Sequence, residues 1–444
     1  MTNQAENADQ TSSPLPQSGF SGADIPAYDD YAHCVHCGLC LNHCPTYKLW
    51  GLEADSPRGR IRQIVLVDQG RLPLGDSFVK HIDQCLDCRA CETACPSGVE
   101  YGKLVEAARA QIEQNYQRPF FSRLGRDFVF RGLLPYPRRI AVLARLLYIY
   151  QRSGLQSLAR ATGILRLLGL ADREKLLPPI DREFFFSKLG RTYPAVGPRR
   201  ARVALFAGCI AQVSFSALHE ATIRVLTANG CEVVVPAGQT CCGALAAHAG
   251  VRDVARSLAR INLDIFLGDE FDAVITNAAG CGSTLKEYEH LFAAGTSEHD
   301  KAQAFRKKMR DVTEFLADLG LSAHLEALPM RVTYQDSCHL LHGQKVREAP
   351  RKLLRAIPGV ELVEMAMADY CCGSAGSYNV TETETSLALL AEKMKHARAT
   401  RAPVIVTANP GCLLQMRAGA EIHATRQEVV HVMELLDRAL VKNT

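Results

Sequence analysis

The segments CVHCGLCLNHCP at 34–45 and CLDCRACETACP at 85–96 decide how the amino-terminal part of this chain folds. Both follow C-x2-C-x2-C-x3-C-P, which is the spacing of bacterial ferredoxins that carry two clusters. A short loop with this spacing wraps three thiolates around one face of a cubane cluster. The fourth cysteine points along the start of a helix and reaches the other cluster. The two segments therefore predict two [4Fe–4S] clusters in one small domain.

Exchange of the fourth cysteine between the segments gives two predicted ligand sets. They are Cys34, Cys37, Cys40 and Cys95 for cluster 1, and Cys85, Cys88, Cys91 and Cys44 for cluster 2. Zinc is the alternative, because C-x2-C pairs also bind zinc and would make the chain a structural binding module. Tetrahedral zinc, however, would leave one cysteine of each trio without a role. A content of about eight iron atoms per chain would exclude it.

Composition limits the class of protein. The chain has 444 residues, 47% hydrophobic and 22% charged, which is typical of a globular protein with two or three domains. Seventeen cysteines cannot all pair, so reduced thiols in a cytoplasmic compartment are expected. The net charge of +4 is too small to indicate a nucleic-acid partner. Neither a signal peptide nor an apolar run long enough to span a membrane is evident.

Residues 200–444 contain two copies of one unit. Apolar strands are predicted in both copies, at 202–207, 232–235 and 273–276, and then at 331–334, 361–364 and 404–407. Each strand leads to cysteine, and the cysteines are Cys209, Cys241, Cys242 and Cys281 in the first copy and Cys338, Cys371, Cys372 and Cys412 in the second. The first cysteine precedes the Cys-Cys pair by 32 and 33 residues, and the last follows it by 39 and 40. Such spacing indicates duplicated modules.

Strands alternating with helices imply parallel sheets, whose carboxyl ends bring loop residues together. Four thiols in each module are therefore candidate ligands of a further cluster, and buried core cysteines are the alternative. The fold class is a combination of α+β and α/β. The predicted organisation is a disordered tail at 1–28, a helical ferredoxin-type domain at 29–115, a basic helical linker at 116–199, and tandem α/β modules at 200–330 and 331–444.

The predicted linker is unusually basic. Residues 118–191 contain fifteen Lys or Arg and five Asp or Glu, and residues 128–171 contain no acid. Its segments 140–150 and 155–168 are apolar and helical in pattern. Docking to a partner subunit is the first interpretation and contact with an anionic membrane surface is the second. A solvated basic face remains the simplest alternative.

Two ferredoxin motifs followed by two "CCG" modules resemble the iron–sulfur subunits of flavin-linked dehydrogenases. The resemblance is strongest to the glycolate oxidase (glycolate dehydrogenase) iron–sulfur subunit family, through DSPRGRI at 55–61, CCGA at 241–244, CCGSAGSY at 371–378 and VTANPGC at 406–412. It covers about residues 30–444. The wider group includes the corresponding iron–sulfur subunit of anaerobic glycerol-3-phosphate dehydrogenase, a lactate-utilisation subunit and the heterodisulfide reductase catalytic subunit.

The resemblance implies an electron-transfer subunit with no catalytic residue of its own. A partner subunit would oxidise glycolate to glyoxylate on FAD, since this chain has neither a G-x-G-x-x-G motif nor a P-loop. Electrons would pass to a quinone, with the complex peripheral at the inner face of the cytoplasmic membrane. The alternatives are a subunit for D-lactate or glycerol-3-phosphate, or a catalytic subunit like that of heterodisulfide reductase.

The chain departs from the heterodisulfide reductase pattern at two positions. That pattern ends each module in C-x2-C and holds a non-cubane cluster, whereas this chain has Thr284 after Cys281 and Gln415 after Cys412. Disulfide-reducing chemistry is therefore disfavoured. The candidate substitute ligands are His248, His339 and His342, for which a structural role is the simpler interpretation.

Overall fold

The computed structural model describes residues 17–441. Residues 1–16 of the predicted tail lie outside this range. Residues 17–27, predicted to belong to the disordered tail, instead pack on the amino-terminal domain. The Gly19 amide donates to the Val67 carbonyl at 2.9 Å, and Phe20 is 3% exposed with its ring 6.2 Å from that of Phe78. The packed domain thus begins earlier than expected, because one aromatic side chain in a polar segment fills its core.

The amino-terminal domain is helical. Its helices are Tyr28–Ala32, Pro45–Trp50, Pro57–Asp68, Asp76–Asp83, Ala90–Thr93 and Tyr101–Asn115, with 3-10 turns at Leu41–His43 and Glu53–Asp55. Proline occupies the first turn of the helices at 45 and 57, where no amide hydrogen is needed. Leu104, Ala108 and Ile112 at helical spacing on the last helix are fully buried, so this helix forms the centre of the domain.

The linker is a series of short helices. They are Phe120–Asp127, Pro137–Arg152, Leu155–Ala161, Ile164–Leu167 and Ala171–Lys175, with a π-helical turn at Phe128–Leu133 and a 3-10 turn at Phe185–Lys188. The apolar pattern at 155–168 is divided by Gly163, whose φ of +72° ends one helix before the next begins. No helix within residues 17–441 combines the length and apolarity needed to cross a bilayer.

Two sheets form the remainder of the chain. The first contains β1 (Thr192–Tyr193), β2 (Ala201–Leu205), β3 (Cys231–Val234), β4 (Ala273–Thr276) and β5 (Met309–Asp311), and the second contains β6 (Met330–Tyr334), β7 (Val360–Glu364), β8 (Val404–Thr407) and β9 (Glu428–His431). Their orders are β1-β3-β2-β4-β5 and β7-β6-β8-β9. Every pairing is parallel except β1 with β3. The parallel strands and the predicted fold class are confirmed, and the order β3-β2-β4-β5 is repeated as β7-β6-β8-β9.

Helices cover both sheets. Those of the first module are Ala211–Ser214, Ser216–Ala228, Ala244–His248, Arg252–Leu267, Ala279–Lys286, Ser297–Lys308 and Val312–Leu319, with a 3-10 turn at Tyr288–Leu291. Those of the second are Glu348–Arg355, Tyr378–Thr381, Thr383–Ala399, Pro410–Ile422 and Val432–Ala439, with a π-helical turn at His339–Gly343. Helix Ser216–Ala228 packs on helix Val432–Ala439, and one apolar core runs through both modules. The modules therefore form one body.

Candidate metal centres

The first ferredoxin motif forms one side of a cavity near the surface. Cys34, Cys37, Cys40 and Cys95 all line it, so the structure brings together the four cysteines predicted for cluster 1. Cys37 is exposed and the other three are half-buried. Cys91 also borders this cavity. This thiol set is the one that solvent or a partner can approach.

The second motif forms a deeper cavity. Cys44, Cys85, Cys88 and Cys91, the predicted ligands of cluster 2, line it together. Each of these four cysteines is buried, with exposures of 6–8%. Tyr101 and Pro57 line both cavities, as does Cys91, so the two thiol sets lie side by side with a shared wall.

The two loops have the same backbone conformation. The residues two and four positions after the first cysteine have positive φ in both: His36 at +55° and Gly38 at +83°, then Asp87 at +51° and Arg89 at +60°. A Cβ at Gly38 would lie 2.9 Å from the guanidinium of Arg58, so a side chain here would displace that guanidinium as well as adopt a left-handed backbone conformation. At the equivalent position of the second loop, Arg89 adopts the left-handed backbone conformation, which is strained for a residue with a side chain.

The charge around the cavities suits an anionic group. Burial, followed by the neighbouring Cys371 thiol, raises the pKa of Cys88 well above its ordinary value, and burial does the same for Cys91. A bound cation must therefore hold these sulfurs as thiolates. Neither cavity has a carboxylate among its lining residues, whereas Arg58 lines the first and the buried Arg60 lines the second. Four predicted cysteine ligands at each cavity, with adjacent guanidinium groups and no lining carboxylate, fit a [4Fe–4S] cluster ligated by four thiolates.

The first module brings its four predicted cysteines together. Cys209 follows β2, the Cys241-Cys242 pair follows β3, and Cys281 lies in the helix after β4. The Cys242 and Cys281 sulfurs are 3.2 Å apart, and the thiols of Cys209 and Cys241 are hydrogen-bonded. These loops meet at the carboxyl ends of parallel strands, as expected.

The second module repeats this arrangement with Cys338, Cys371, Cys372 and Cys412. Hydrogen bonds link the thiols in that order. The bond with Cys371, together with burial, raises the pKa of Cys372 to about 12. At Gly373, with φ of +88°, a Cβ would lie 2.5 Å from the Ser386 carbonyl oxygen, so only glycine can follow the pair here. The remaining cysteine, Cys231, is fully buried in β3 and packs in the core.

The second module's thiols lie against the second ferredoxin motif. Cys88 packs in one apolar cluster with Cys371, and Cys338 packs against the same cluster. Tyr370 and Tyr378 belong to this cluster and join the second module to the ferredoxin domain. Their hydroxyls donate to the carbonyls of Pro45 at 3.4 Å and Gln84 at 3.1 Å, respectively. Sequence spacing gave no signal of this contact, since Cys88 precedes Cys338 by 250 residues and Cys371 by 283.

The first module's thiols face the linker instead. Cys241 and Cys242 share an apolar cluster with Phe130 and Leu134. Cys209 packs against another cluster that contains Ile140 and Ala144 from the linker. The basic linker therefore covers this thiol set with its apolar side.

The positions of the missing fifth thiols are buried. The Thr284 hydroxyl has no hydrogen-bond partner among the described residues. Gln415 accepts from the Asn379 amide at 3.3 Å and donates to the Ser386 hydroxyl at 2.9 Å. Gln415 is thus held by hydrogen bonds on both ends of its amide, as a structural residue would be.

The three candidate histidines make contacts between domains. His342 contacts the Thr93 hydroxyl at 2.9 Å, and His339 contacts the Asp87 carbonyl at 2.8 Å. His248 lies 2.7 Å from Glu106 and 3.1 Å from Asp87. Each histidine therefore joins a module to the ferredoxin domain, which supports the structural interpretation.

His248 belongs to a buried charge network that the sequence did not predict. Arg89 makes ion pairs with Glu106 at 3.5 Å, with Asp87 at 3.7 Å and with Glu287 of the first module. Ligand atoms of Asp87, His248 and His339 lie within 4.8 Å of one another. Burial alone would lower the pKa of His248, but hydrogen bonds to Asp87 and Glu106 raise it to about 9. The protonated imidazole thus binds the two carboxylates.

Comparison with known proteins agrees with this architecture. A 4Fe-4S dicluster domain matches residues 30–99, a cysteine-rich CCG domain matches 203–286 and 332–417, and the linker region of the glycolate oxidase iron-sulfur subunit matches 121–177. A Bacillus subtilis protein named "Probable glycolate oxidase iron-sulfur subunit" is 42% identical over 411 residues, covering 91% of this chain and 93% of its own. The chain belongs to the glycolate oxidase iron-sulfur subunit family.

Other members and relatives of this family show similar coverage or less. The Escherichia coli glycolate oxidase iron-sulfur subunit is 31% identical, covering 92% of this chain and 94% of its own. Lactate utilization protein A of Oceanobacillus iheyensis is 32% identical, covering 53% of this chain and 96% of its own. These comparisons confirm the predicted family. They also confirm the predicted 4Fe-4S domain and the two CCG domains.

Proposed function

We propose that this chain is the electron-transfer subunit of a glycolate dehydrogenase complex. It would accept electrons from a partner subunit that oxidises glycolate on FAD, and deliver them to a quinone. The complex would be cytoplasmic and peripheral at the inner face of the cytoplasmic membrane. The observation that carries the proposal is the pair of adjoining sulfur-lined cavities in a chain related over most of its length to glycolate oxidase iron-sulfur subunits.

The proposed ligands are those predicted from the spacing. Cys34, Cys37, Cys40 and Cys95 would hold one [4Fe–4S] cluster, and Cys44, Cys85, Cys88 and Cys91 the other. Such a cluster gives and takes one electron at a time without moving a proton or making a bond. The chain's own residues hold the thiolates, exclude water from the second set and place positive charge beside both. Cys209, Cys241, Cys242, Cys281, Cys338, Cys371, Cys372 and Cys412 would supply ligands for one or two further clusters.

An anaerobic titration tests the proposal. Protein with about eight or more iron atoms per chain should bleach reversibly with dithionite. Glycolate should reduce it only when the FAD-bearing partner is present. Reduction by glycolate of the isolated chain would contradict the proposal, as would colourless protein that contains zinc.

D-lactate is the second candidate substrate, because relatives named lactate utilization protein A match half of the chain. The same titration with D-lactate in place of glycolate distinguishes the two. Spectra of the oxidised protein distinguish a relay from a catalytic subunit, since a relay gives no paramagnetic signal that depends on a bound substrate.

A further inference from the structure

The linker exposes an unusual amount of apolar surface. Sixteen of the 28 large hydrophobic side chains that are exposed among residues 17–441 lie between 120 and 177. Leu167 is 86% exposed, Val142 is 63% exposed and Leu168 is 61% exposed. Large apolar groups at this density are costly in water and mark a surface that is covered in the working protein.

Helix Pro137–Arg152 shows the pattern most clearly. Its inner side buries Ile140 and Ala144 against the fold. Its outer side carries Val142, Leu146 and Ile149, at the spacing i, i+4, i+7, and all three are exposed. The helix is therefore apolar on two sides, and only one of them is covered by residues 17–441.

Five of the six arginines at 137–170 lack a carboxylate partner among the described residues, the exception being Arg160, which pairs with Glu174. Arg138, Arg139, Arg145, Arg152 and Arg166 are exposed, and none forms an ion pair with a carboxylate of residues 17–441. Residues 128–171 contain no acid at all. Exposed arginines outside the linker include paired ones, such as Arg224 with Asp437 at 2.7 Å, and ones without an ion pair among residues 17–441, such as Arg62 and Arg71. The linker differs in collecting its unpaired arginines in one segment that has no acid. The linker thus presents a net positive field beside its apolar side chains.

We propose that the exposed apolar and arginine side chains of residues 137–170, here termed the linker surface, bind an anionic lipid bilayer. Short amphipathic helices rich in arginine and lacking acid are suited to lie in the plane of a membrane, with apolar side chains among the acyl chains and cations at the headgroups. The net positive charge of this surface is complementary to an anionic leaflet, which attracts clusters of Lys and Arg. The inference rests on the proposed peripheral location and assigns it to named residues.

Vesicle sedimentation with the full-length, cluster-loaded protein tests the inference. Wild-type protein should pellet with vesicles of phosphatidylcholine and phosphatidylglycerol, but weakly with phosphatidylcholine alone. Binding should weaken as the salt concentration rises, because salt screens the arginine charges. These measurements do not depend on electron transfer.

Two variants examine the two parts of the surface. V142S/L146S/I149S removes the apolar stripe, and R138Q/R152Q/R166Q removes three unpaired charges. Each should lower the partition coefficient on anionic vesicles by at least about tenfold. The matched controls are V196S/I261S/V380S and R62Q/R71Q/R398Q, whose residues are exposed in other parts of the chain and should leave binding unchanged. Iron content and gel filtration confirm that each variant is folded.

Each outcome has a definite meaning. If wild type binds and the linker variants bind equally well, the assignment to the linker surface is wrong while the peripheral location stands. If wild type does not bind anionic vesicles, both are wrong, whereas the glycolate titration still decides the electron-transfer role. If the linker variants lose only their association with the flavoprotein subunit, the surface is a subunit interface and the lipid inference is overturned.

Discussion

The two cysteine-rich modules have the same strand order and the same sequence of linked thiols, yet different neighbours. The second module's thiols pack with Cys88 of the buried ferredoxin motif. Those of the first module pack under Phe130, Leu134 and Ile140 of the linker. Duplication therefore preserved the site while the surroundings diverged, so that one copy adjoins the buried cysteine set and the other adjoins the linker.

The largest expected effect follows from removing a cysteine of the buried set. C88S should lose about four iron atoms per chain, because three thiolates and a hydroxyl hold a cubane poorly, and it should weaken the contact with the second module. Iron and sulfide analysis measures the loss. C231A is the matched control, since Cys231 is also buried but packs in the core of the first module. Full iron content in C88S would contradict the ligand assignment.

Paired substitutions in the modules test the comparison directly. C371A/C372A should change the paramagnetic resonance lines of the reduced buried cluster, because Cys371 and Cys88 share one apolar cluster. C241A/C242A should leave those lines unchanged, since these residues lie in a different cluster of side chains. Equal changes in the two variants would show that the modules are equivalent with respect to this cluster.

The charge network should contribute strongly to stability. R89A removes a buried guanidinium that pairs with the carboxylates of Asp87 and Glu106, so we expect a loss of about 3–5 kcal/mol in the free energy of unfolding. Anaerobic denaturant titration measures it. R131A is the control: its ion pair with Asp253 is about half exposed and should contribute less than about 1 kcal/mol. Similar losses in both variants would contradict the role of burial.

A smaller effect should appear in the dependence of stability on pH. The pKa of His248 rises on folding from 6.5 to about 9, so its contribution is fully present below pH 6.5 and is lost as pH rises through 9. The contribution is at most about 3 kcal/mol. H248Q should therefore flatten the stability curve between pH 6.5 and 9.

His342 of the second module provides the control for this measurement. Burial lowers the pKa of His342, so H342Q should leave the stability curve between pH 6.5 and 9 with its wild-type slope. A flattened curve in H342Q, or an unchanged one in H248Q, would show that the imidazole of the first module does not bind the carboxylates as a cation.

The sequence predicted the module strands well and the joints between domains poorly. Runs of Val, Ile and Ala placed β4 and β8 at the predicted residues, because a buried parallel strand needs apolar side chains on both faces. β5 and β9 were missed. β5 (Met309–Asp311) follows a helix directly and includes two charged side chains, and β9 (Glu428–His431) has only two apolar residues. Phe20 was assigned to the tail because its neighbours in sequence are polar.

The candidate sites show the same division. The spacing of the two ferredoxin motifs predicted which cysteines line each cavity, including the fourth cysteine that each set takes from the other motif. The contact of Cys88 with Cys371, and the ion pairs of Arg89 with Glu106 and Glu287, join residues far apart in the chain. Such contacts depend on how folded domains dock, which local periodicity does not encode.

Asp87 and Arg89 lie between Cys85, Cys88 and Cys91, so the second loop both carries predicted cluster ligands and holds the domains together. The Asp87 carbonyl contacts His339 of the second module, and the Asp87 carboxylate contacts His248 of the first. The neighbouring cysteine sulfurs would bind the cluster. Loss of the cluster should make the loop mobile and so weaken the contacts of Asp87 with His339 and His248 in the two modules. Oxidative damage at one buried site would thereby loosen the entire subunit and expose it to proteolysis.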